Sequence, residues 1–573
     1  MAIEAKVARP EKLRLGDILV QQKVISQEQL GFALEQQKRT KRRLGKLLVE
    51  NGLISEDQIS EALARQFNIP FINLKFYNLQ PEAARKLPEM QARRHRAIVL
   101  EDRNTSYLVG MSDPTDLFAY DDITRVLKRG IALAVVNDAL LLQTIDRVYR
   151  RTEEITGHAK ELARDVGETS VDFGALAGEL TVEDAPVVRL IQSMFEDATQ
   201  VSASDIHVEP QENRVLIRFR IDGVLMLQTE SDVKIGPAMV LRLKLMAGLD
   251  ISEKRLPQDG RFNTKIREQQ VDVRISTMPV QYGESVVMRL LNQSKQHLGL
   301  DRIGMPPEML QRFRQLMQRN NAMILVTGPT GSGKTTTLYA ALSEMNSVEK
   351  KIITVEDPVE YRLPGVNQVQ VNEKIELTFA RVLRSGLRQD PDIILVGEMR
   401  DEETAQIGLR AALTGHLVLS TLHTKDAAST PMRLIDMGSP PYMVATSVHA
   451  VLAQRLVRVI CESCAEPAVL DDHEKAWIER EGSAFLASTR FMRGRGCSHC
   501  NGTGYAGRTG VYELLEMTRE LIAVINRGDP TEFHRVAREA MKGRTILDHG
   551  IGLAVAGRTT VAEFMRVASQ FED

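Results

Sequence analysis

Met323-Ile-Leu-Val-Thr-Gly-Pro-Thr-Gly-Ser-Gly-Lys-Thr-Thr-Thr337 is the stretch from which the rest of the chain is read. Met323 to Leu325 and then Val326 are apolar and read as a buried strand. Gly328 to Thr335 fit G-x-x-x-x-G-K-[ST], and Thr336 onward reads as a helix. Strand, loop and helix in that order are the setting of a phosphate-binding loop. Gly328, Pro329, Thr330, Gly331, Ser332 and Gly333 wrap the phosphates with backbone N–H groups. The helix entered through Thr336 turns its positive end to the same charge. Lys334 is placed to reach the β/γ-phosphates and Thr335 to offer a hydroxyl to Mg²⁺. The residues predict binding of a nucleoside triphosphate.

Downstream, apolar strands end in acids and histidines. Lys351-Ile-Ile-Thr-Val runs into Glu356-Asp-Pro-Val-Glu360, and Ile393-Ile-Leu-Val-Gly runs into Glu398. About 60 residues past the loop is where a parallel-sheet NTPase places the acid that holds Mg²⁺ through water. Thr414-Gly-His-Leu-Val-Leu-Ser-Thr-Leu-His423 is a further buried strand, with His416 and His423 at its two ends. The four cysteines then form two pairs, Cys461/Cys464 and Cys497/Cys500. Two C-x₂-C pairs make tetrahedral zinc ligation easy and, with no open position, structural. Two independent redox pairs are the alternative. The long gap between the pairs implies an insert with structure of its own.

Upstream, residues 181–300 read as an α+β module. It has an amphipathic helix from Val187, then Ser204-Asp-Ile-His-Val-Glu-Pro, then strands with arginines at alternating positions and an Asp222-Gly hairpin signal. Residues 151–180 are charged and polar with no sustained apolar period, and read as a linker. Residues 1–150 hold a repeat followed by a small α/β unit. Arg14-Leu-Gly to Gln37 and Arg43-Leu-Gly to Gln66 are the two copies, separated by Lys38 to Arg42. Each carries a capping-box pair, Ser26/Gln29 and Ser55/Gln58, that starts a helix. Leu30 and Leu34, like Ile59 and Leu63, share one helical face. Two helical hairpins packed on each other account for this pattern. Two matched Arg/Gln sites also suit a ligand with two equivalent halves, since Arg stacks on purines and pairs with phosphates.

Composition limits the functional classes. The 573 residues carry a net charge of −2, which gives no push toward DNA or an anionic membrane. No stretch approaches a membrane span and the N-terminus lacks the apolar core of a signal peptide, so the cytoplasm is the expected compartment. Four cysteines in two C-x₂-C pairs do not make a disulfide framework.

Taken in order, Gly328–Thr335, Thr354-Val-Glu-Asp-Pro-Val-Glu360, Arg388-Gln-Asp-Pro-Asp…Glu398-Met-Arg400, Thr414-Gly-His…His423-Thr424 and the tetracysteine insert resemble the secretion ATPases, and more narrowly the assembly ATPases of type II secretion and type IV pili. The resemblance spans about residue 181 to the C-terminus. It implies a RecA-like P-loop core over 301–573, including a zinc subdomain at 455–510, behind a PAS-like domain at 181–300. It further implies that Glu360 orients or deprotonates the attacking water, that Glu398 is the Walker B acid, and that His416 and His423 sense the γ-phosphate. Arg274, Arg289, Arg384 and Arg400 would complete the site. The implied assembly is a homohexamer at an inner-membrane platform protein, using ATP, Mg²⁺ and Zn²⁺ to build a pilus or pseudopilus, with no nucleic acid expected as a partner. The competing reading is a nucleic-acid translocase or helicase, against which the near-neutral charge counts. The repeat is similar to the cyclic di-GMP-binding domain of the MSHA-pilus assembly ATPases. That implies ligand contacts at Arg14, Leu15, Gly16, Gln37, Arg43, Leu44, Gly45 and Gln66. Lys23, standing where the second copy has Gly52, is the departure.

Overall fold

Alternate side chains of Ala322–Thr327 (β1) enter two different cores: Met323 and Leu325 one, Ala322, Ile324 and Val326 the other. A strand buried on both faces belongs in the middle of a helix-covered parallel sheet. In the computed structural model it lies there. The other strands are Ile352–Glu356 (β2), Asn367–Gln370 (β3), Ile393–Val396 (β4), Leu417–Leu422 (β5), Val448–Ile460 (β6) and Tyr505–Glu516 (β7). Their order is β3-β2-β4-β5-β1-β6-β7, parallel throughout except for the antiparallel β6/β7 edge. The carboxyl ends of β1, β2, β4 and β5 therefore share one rim, where an open α/β sheet binds its ligand.

The structure describes residues 15–40, 44–149, 152–168, 186–266, 269–292, 299–482 and 490–569. They fall into two compact units, one of 1–153 with 461–464 and 494–504, the other of 154–460 with 465–493 and 505–573. In the second unit a six-stranded antiparallel sheet precedes the parallel one, in the spatial order 224–232, 214–221, 205–210, 283–292, 269–280, 258–266. Helices Pro186–Gln200 and Ile235–Met246 pack their apolar faces against it. Part of the expected linker is helical too. Thr152–Glu168 is a helix whose Ile155, Ala159 and Leu162, at i, i+4 and i+7, are buried in the same core. That stripe is short and lies among charges, which hides it from a composition-based reading; residues 169–185 lie outside the described set.

In the first unit the repeat forms helices Leu15–Gln21, Gln27–Thr40, Leu44–Glu50 and Glu56–Phe67 around one core. Both capping boxes form. The Ser26 and Ser55 backbone N–H groups donate to Gln29 and Gln58 at 2.8 and 2.9 Å, and each Ser hydroxyl accepts in return. Lys23 takes the same left-handed turn as Gly52, φ 59° against 67°, so the departure costs strain and leaves the shape intact. A three-stranded sheet, Ala97–Asp102, Ser106–Met111 and Gly130–Val135, follows. The expected single subdomain at 455–510 is divided. Its two cysteine hairpins group with the N-terminal residues, while the helix Asp472–Gly482 of the insert packs with the parallel-sheet unit.

Candidate functional site

Gly328, Gly331 and Gly333 all have positive φ, and the loop they bend opens helix Lys334–Met345. Gly328 has no alternative: at φ 147° an added Cβ would lie 2.5 Å from the Gln454 carbonyl oxygen. Lys334 Nζ donates to the Gly328 and Pro329 carbonyls at 2.8 and 3.1 Å. Burial pulls the Lys334 pKa down to about 8, opposed by the Glu398 charge and reinforced by Arg455. Ser332 Oγ is buried with no partner among the described residues. A nest of backbone amides, a desolvated lysine and an orphaned hydroxyl fit a phosphate chain. Thr335 and Thr336 line the same cleft, of about 560 Å³.

The acids arrive from the neighbouring strand ends. Glu398 lies two residues beyond β4, accepts from Arg400, and lies 3.5 Å from His423 Nε2 just past β5. Burial, then the nearby Lys334 charge, lowers the His423 pKa, so its imidazole is neutral near pH 7. Glu360 follows β2 and pairs with Arg274 at 3.1 Å; Arg274 also donates to the Val359 carbonyl. Arg274 thus brings the antiparallel module to the Glu360 side of the cleft. Arg289 and Arg400 line it as well, although Arg289 Nε is engaged by Asp205 at 3.1 Å.

Two predicted residues are elsewhere. His416 precedes β5, its Nδ1 2.9 Å from the Ala411 carbonyl and its own carbonyl accepting from Ala322 at the far end of β1. Seven rises of about 3.3 Å along the strand hold it roughly 23 Å from His423. A histidine at each end of one strand cannot put both at the carboxyl rim. Arg384, on helix Phe379–Gly386, pairs with Glu403 and does not line the cleft.

The four cysteines converge. All four Sγ atoms lie within 4.8 Å of one another, with 461–497 at 3.9 Å and 464–500 and 497–500 at 3.8 Å. A tetrahedron with Zn–S bonds of about 2.3 Å has edges of about 3.8 Å, so the donor set fits a four-thiolate ion. Backbone N–H groups of Cys497 and Gly504 donate to Cys500 Sγ at 3.2 Å. The cysteines are free, not disulfide-bonded. In the repeat, Leu15/Leu44 and Gly16/Gly45 occupy matching helix starts. Gln37 lies near the end of one long helix and Gln66 near the end of the other. Arg14 and Arg43 lie outside the described residues.

The family described as "Type II/IV secretion system protein" matches residues 181–566, two thirds of the chain. The chain belongs to that family. A second family, described as the MshEN domain, matches residues 67–155 and begins where the repeat ends. The type IV pilus assembly ATPase PilB of Myxococcus xanthus is 41% identical over 561 residues, covering 94% of this chain and 98% of that protein. The type II secretion system protein E of Dickeya dadantii is 43% identical over 500 residues, 86% of this chain and 98% of that one. Among solved structures, the ATPase DotB of Legionella pneumophila aligns with a TM-score of 0.51 at 20% identity, over 66% of this chain and 95% of that one, a likeness of fold. The family's RecA-like sheet is the one described above.

Some cleft residues were given no role by the sequence. Glu356, at the end of β2, is buried and accepts from Tyr339, from Thr354 at 2.5 Å and from Gln368 at 3.3 Å. Tyr339 Oη in turn accepts the Glu360 N–H at 3.3 Å, so this network fixes the backbone that carries Glu360. Gln454 accepts from Thr337 at 2.8 Å and donates to the Ser332 carbonyl at 2.7 Å, bracing the loop from β6. The available signal was Gln454-Arg455 interrupting the apolar run of a buried strand. Arg508, from β7, also reaches the cleft.

Proposed function

We propose that the chain is a motor ATPase that powers assembly of a type IV, MSHA-like pilus or a type II secretion pseudopilus. The carrying observation is that Lys334, Glu398, His423 and Glu360 face one cleft, with Arg274 and Arg289 supplied by a second module. Bound ATP·Mg²⁺ would supply the electrophilic phosphorus and a divalent charge that offsets the phosphates. Toward it the chain's own groups divide the work. The loop amides and Lys334 bind the phosphates, and Thr335 and Glu398 hold the metal position. Glu360, once released from Arg274, orients and deprotonates water. The neutral His423 imidazole can donate to a phosphate oxygen.

Around that core the reading extends to a homohexamer on the cytoplasmic side of an inner-membrane platform protein. Arg384, more than half exposed and outside this cleft, is available to an adjoining site. Among the described residues no helix is long and apolar enough to cross a membrane. Zinc in the cysteine centre is structural. The MshEN match and the duplicated helices support cyclic di-GMP as a regulatory ligand.

Two substitutions test the core reading. Lys334→Ala removes the charge that meets the phosphates, so nucleotide binding and turnover should both fail. Glu398→Gln keeps shape without charge, so ATP should bind and stay intact. Wild-type turnover in Glu398→Gln, measured by phosphate release, would remove this acid from the mechanism.

A further inference from the structure

The cysteine hairpins 461–464 and 494–504 form one compact body with the N-terminal residues, and the contacts within that body are specific. His499 Nε2 lies 2.7 Å from the Leu74 carbonyl. Lys75, the next residue, pairs with Glu462 between the first two cysteines. Helix Asp138–Val148 packs on the short 498–500 turn and carries Arg147, whose pKa is lowered by burial and held up by the neighbouring Cys497, Cys461 and Cys500. Arg147 Nη1 is buried and has no hydrogen-bond partner among the described residues, while the adjacent Asp146 is taken by Arg93. A half-buried guanidinium with one buried nitrogen and no carboxylate is costly unless another anion offsets it. Four thiolates around one divalent ion would carry a net charge of about −2, an anion on the side of the centre that the Arg147 helix packs against.

We propose that Arg147 and the Leu74–Lys75 turn are the outer shell of the metal centre, so that zinc binding and docking of the cysteine hairpins on the N-terminal region are one equilibrium. This rests on the zinc reading above. Outer-shell partners orient and compensate metal ligands without touching the ion, so Arg147 is a positioning residue.

The full-length zinc-loaded protein tests this with a chromogenic zinc chelator as competitor. Arg147→Met keeps most of the side-chain volume and loses the charge; its zinc should leave about tenfold faster than from wild type, the low end for outer-shell losses. Arg147→Lys keeps the charge and should hold zinc within about threefold of wild type, whereas a packing defect would not separate Met from Lys. In wild type, chelation should raise hydrogen exchange at residues 72–76, and His499→Ala should raise it and speed zinc release as well. Wild-type zinc release from Arg147→Met, or exchange at 72–76 indifferent to zinc, would overturn the proposal while leaving the metal site standing. Protein isolated with no zinc at all would overturn the metal reading itself, and this proposal with it.

Discussion

Lys334 is held in conflict by its surroundings: buried enough to be pulled down to about 8, yet needed as a cation. Near pH 8 about half the empty sites hold it uncharged, and phosphates restore the charge by opposing burial with attraction. Nucleotide binding should therefore take up about half a proton near pH 8. The uptake should fade below about pH 7, where Lys334 is already protonated. Calorimetry in two buffers of different ionisation enthalpy reads this number directly; equal heats would show that Lys334 is charged in the empty cleft. At this scale Lys334 and Glu398 were legible because their neighbours in sequence are also their neighbours in space. The roles of Glu356, Tyr339 and Gln454 were not, since their partnerships join one helix to separate strands. His416 was misplaced because a motif records order along a strand and not which rim a residue reaches.

Between elements, the repeat shows how duplicated sequence need not be equally strained. Gly16 and Gly45 are equivalent, each at the start of a short helix crossing a long one. An added Cβ at Gly16 would lie 2.6 Å from Leu30 Cδ1, and at Gly45 3.3 Å from Ile59 Cδ1. Leu30 is buried and cannot withdraw freely, so Gly16→Ala should destabilise the helical repeat by about 1–2 kcal/mol through overpacking. At Gly45 the better helix propensity of Ala, up to about 1 kcal/mol, offsets a contact that a small shift relieves. Hydrogen exchange over residues 15–67 should rise for the first variant and stay near wild type for the second. Equal responses would mean that the two crossings are packed alike. The repeat's helices were legible from their caps. The glycines' packing role was not, because it depends on how closely two helices approach. The helix Thr152–Glu168 escaped for the opposite reason, its short buried stripe being outnumbered by charges.

For the molecule as a whole, the order of modules was legible because each announces itself locally, through a loop, a cysteine pair or a repeat. The division of the cysteine region between two compact units was not, since sequence proximity placed it wholly with the parallel sheet. What the repeat does for the whole protein is the remaining step. Its two halves repeat at 29-residue spacing down to their capping boxes and left-handed turns, which supports a ligand with two like halves. Cyclic di-GMP has two guanines and two phosphates, and an Arg–phosphate contact is charge-assisted, with a net worth of about 1.5–3 kcal/mol. Arg14→Ala and Arg43→Ala should each weaken cyclic di-GMP binding by about tenfold or more. ATP binding at Lys334 should be unchanged, because the variants act on the other compact unit. Calorimetric titration of the full chain with cyclic di-GMP, before and after saturation with ATP, measures both. If wild type gives no heat at protein concentrations of tens of micromolar, the helices are duplicated for packing alone. If only one arginine matters, the ligand does not use the two halves alike.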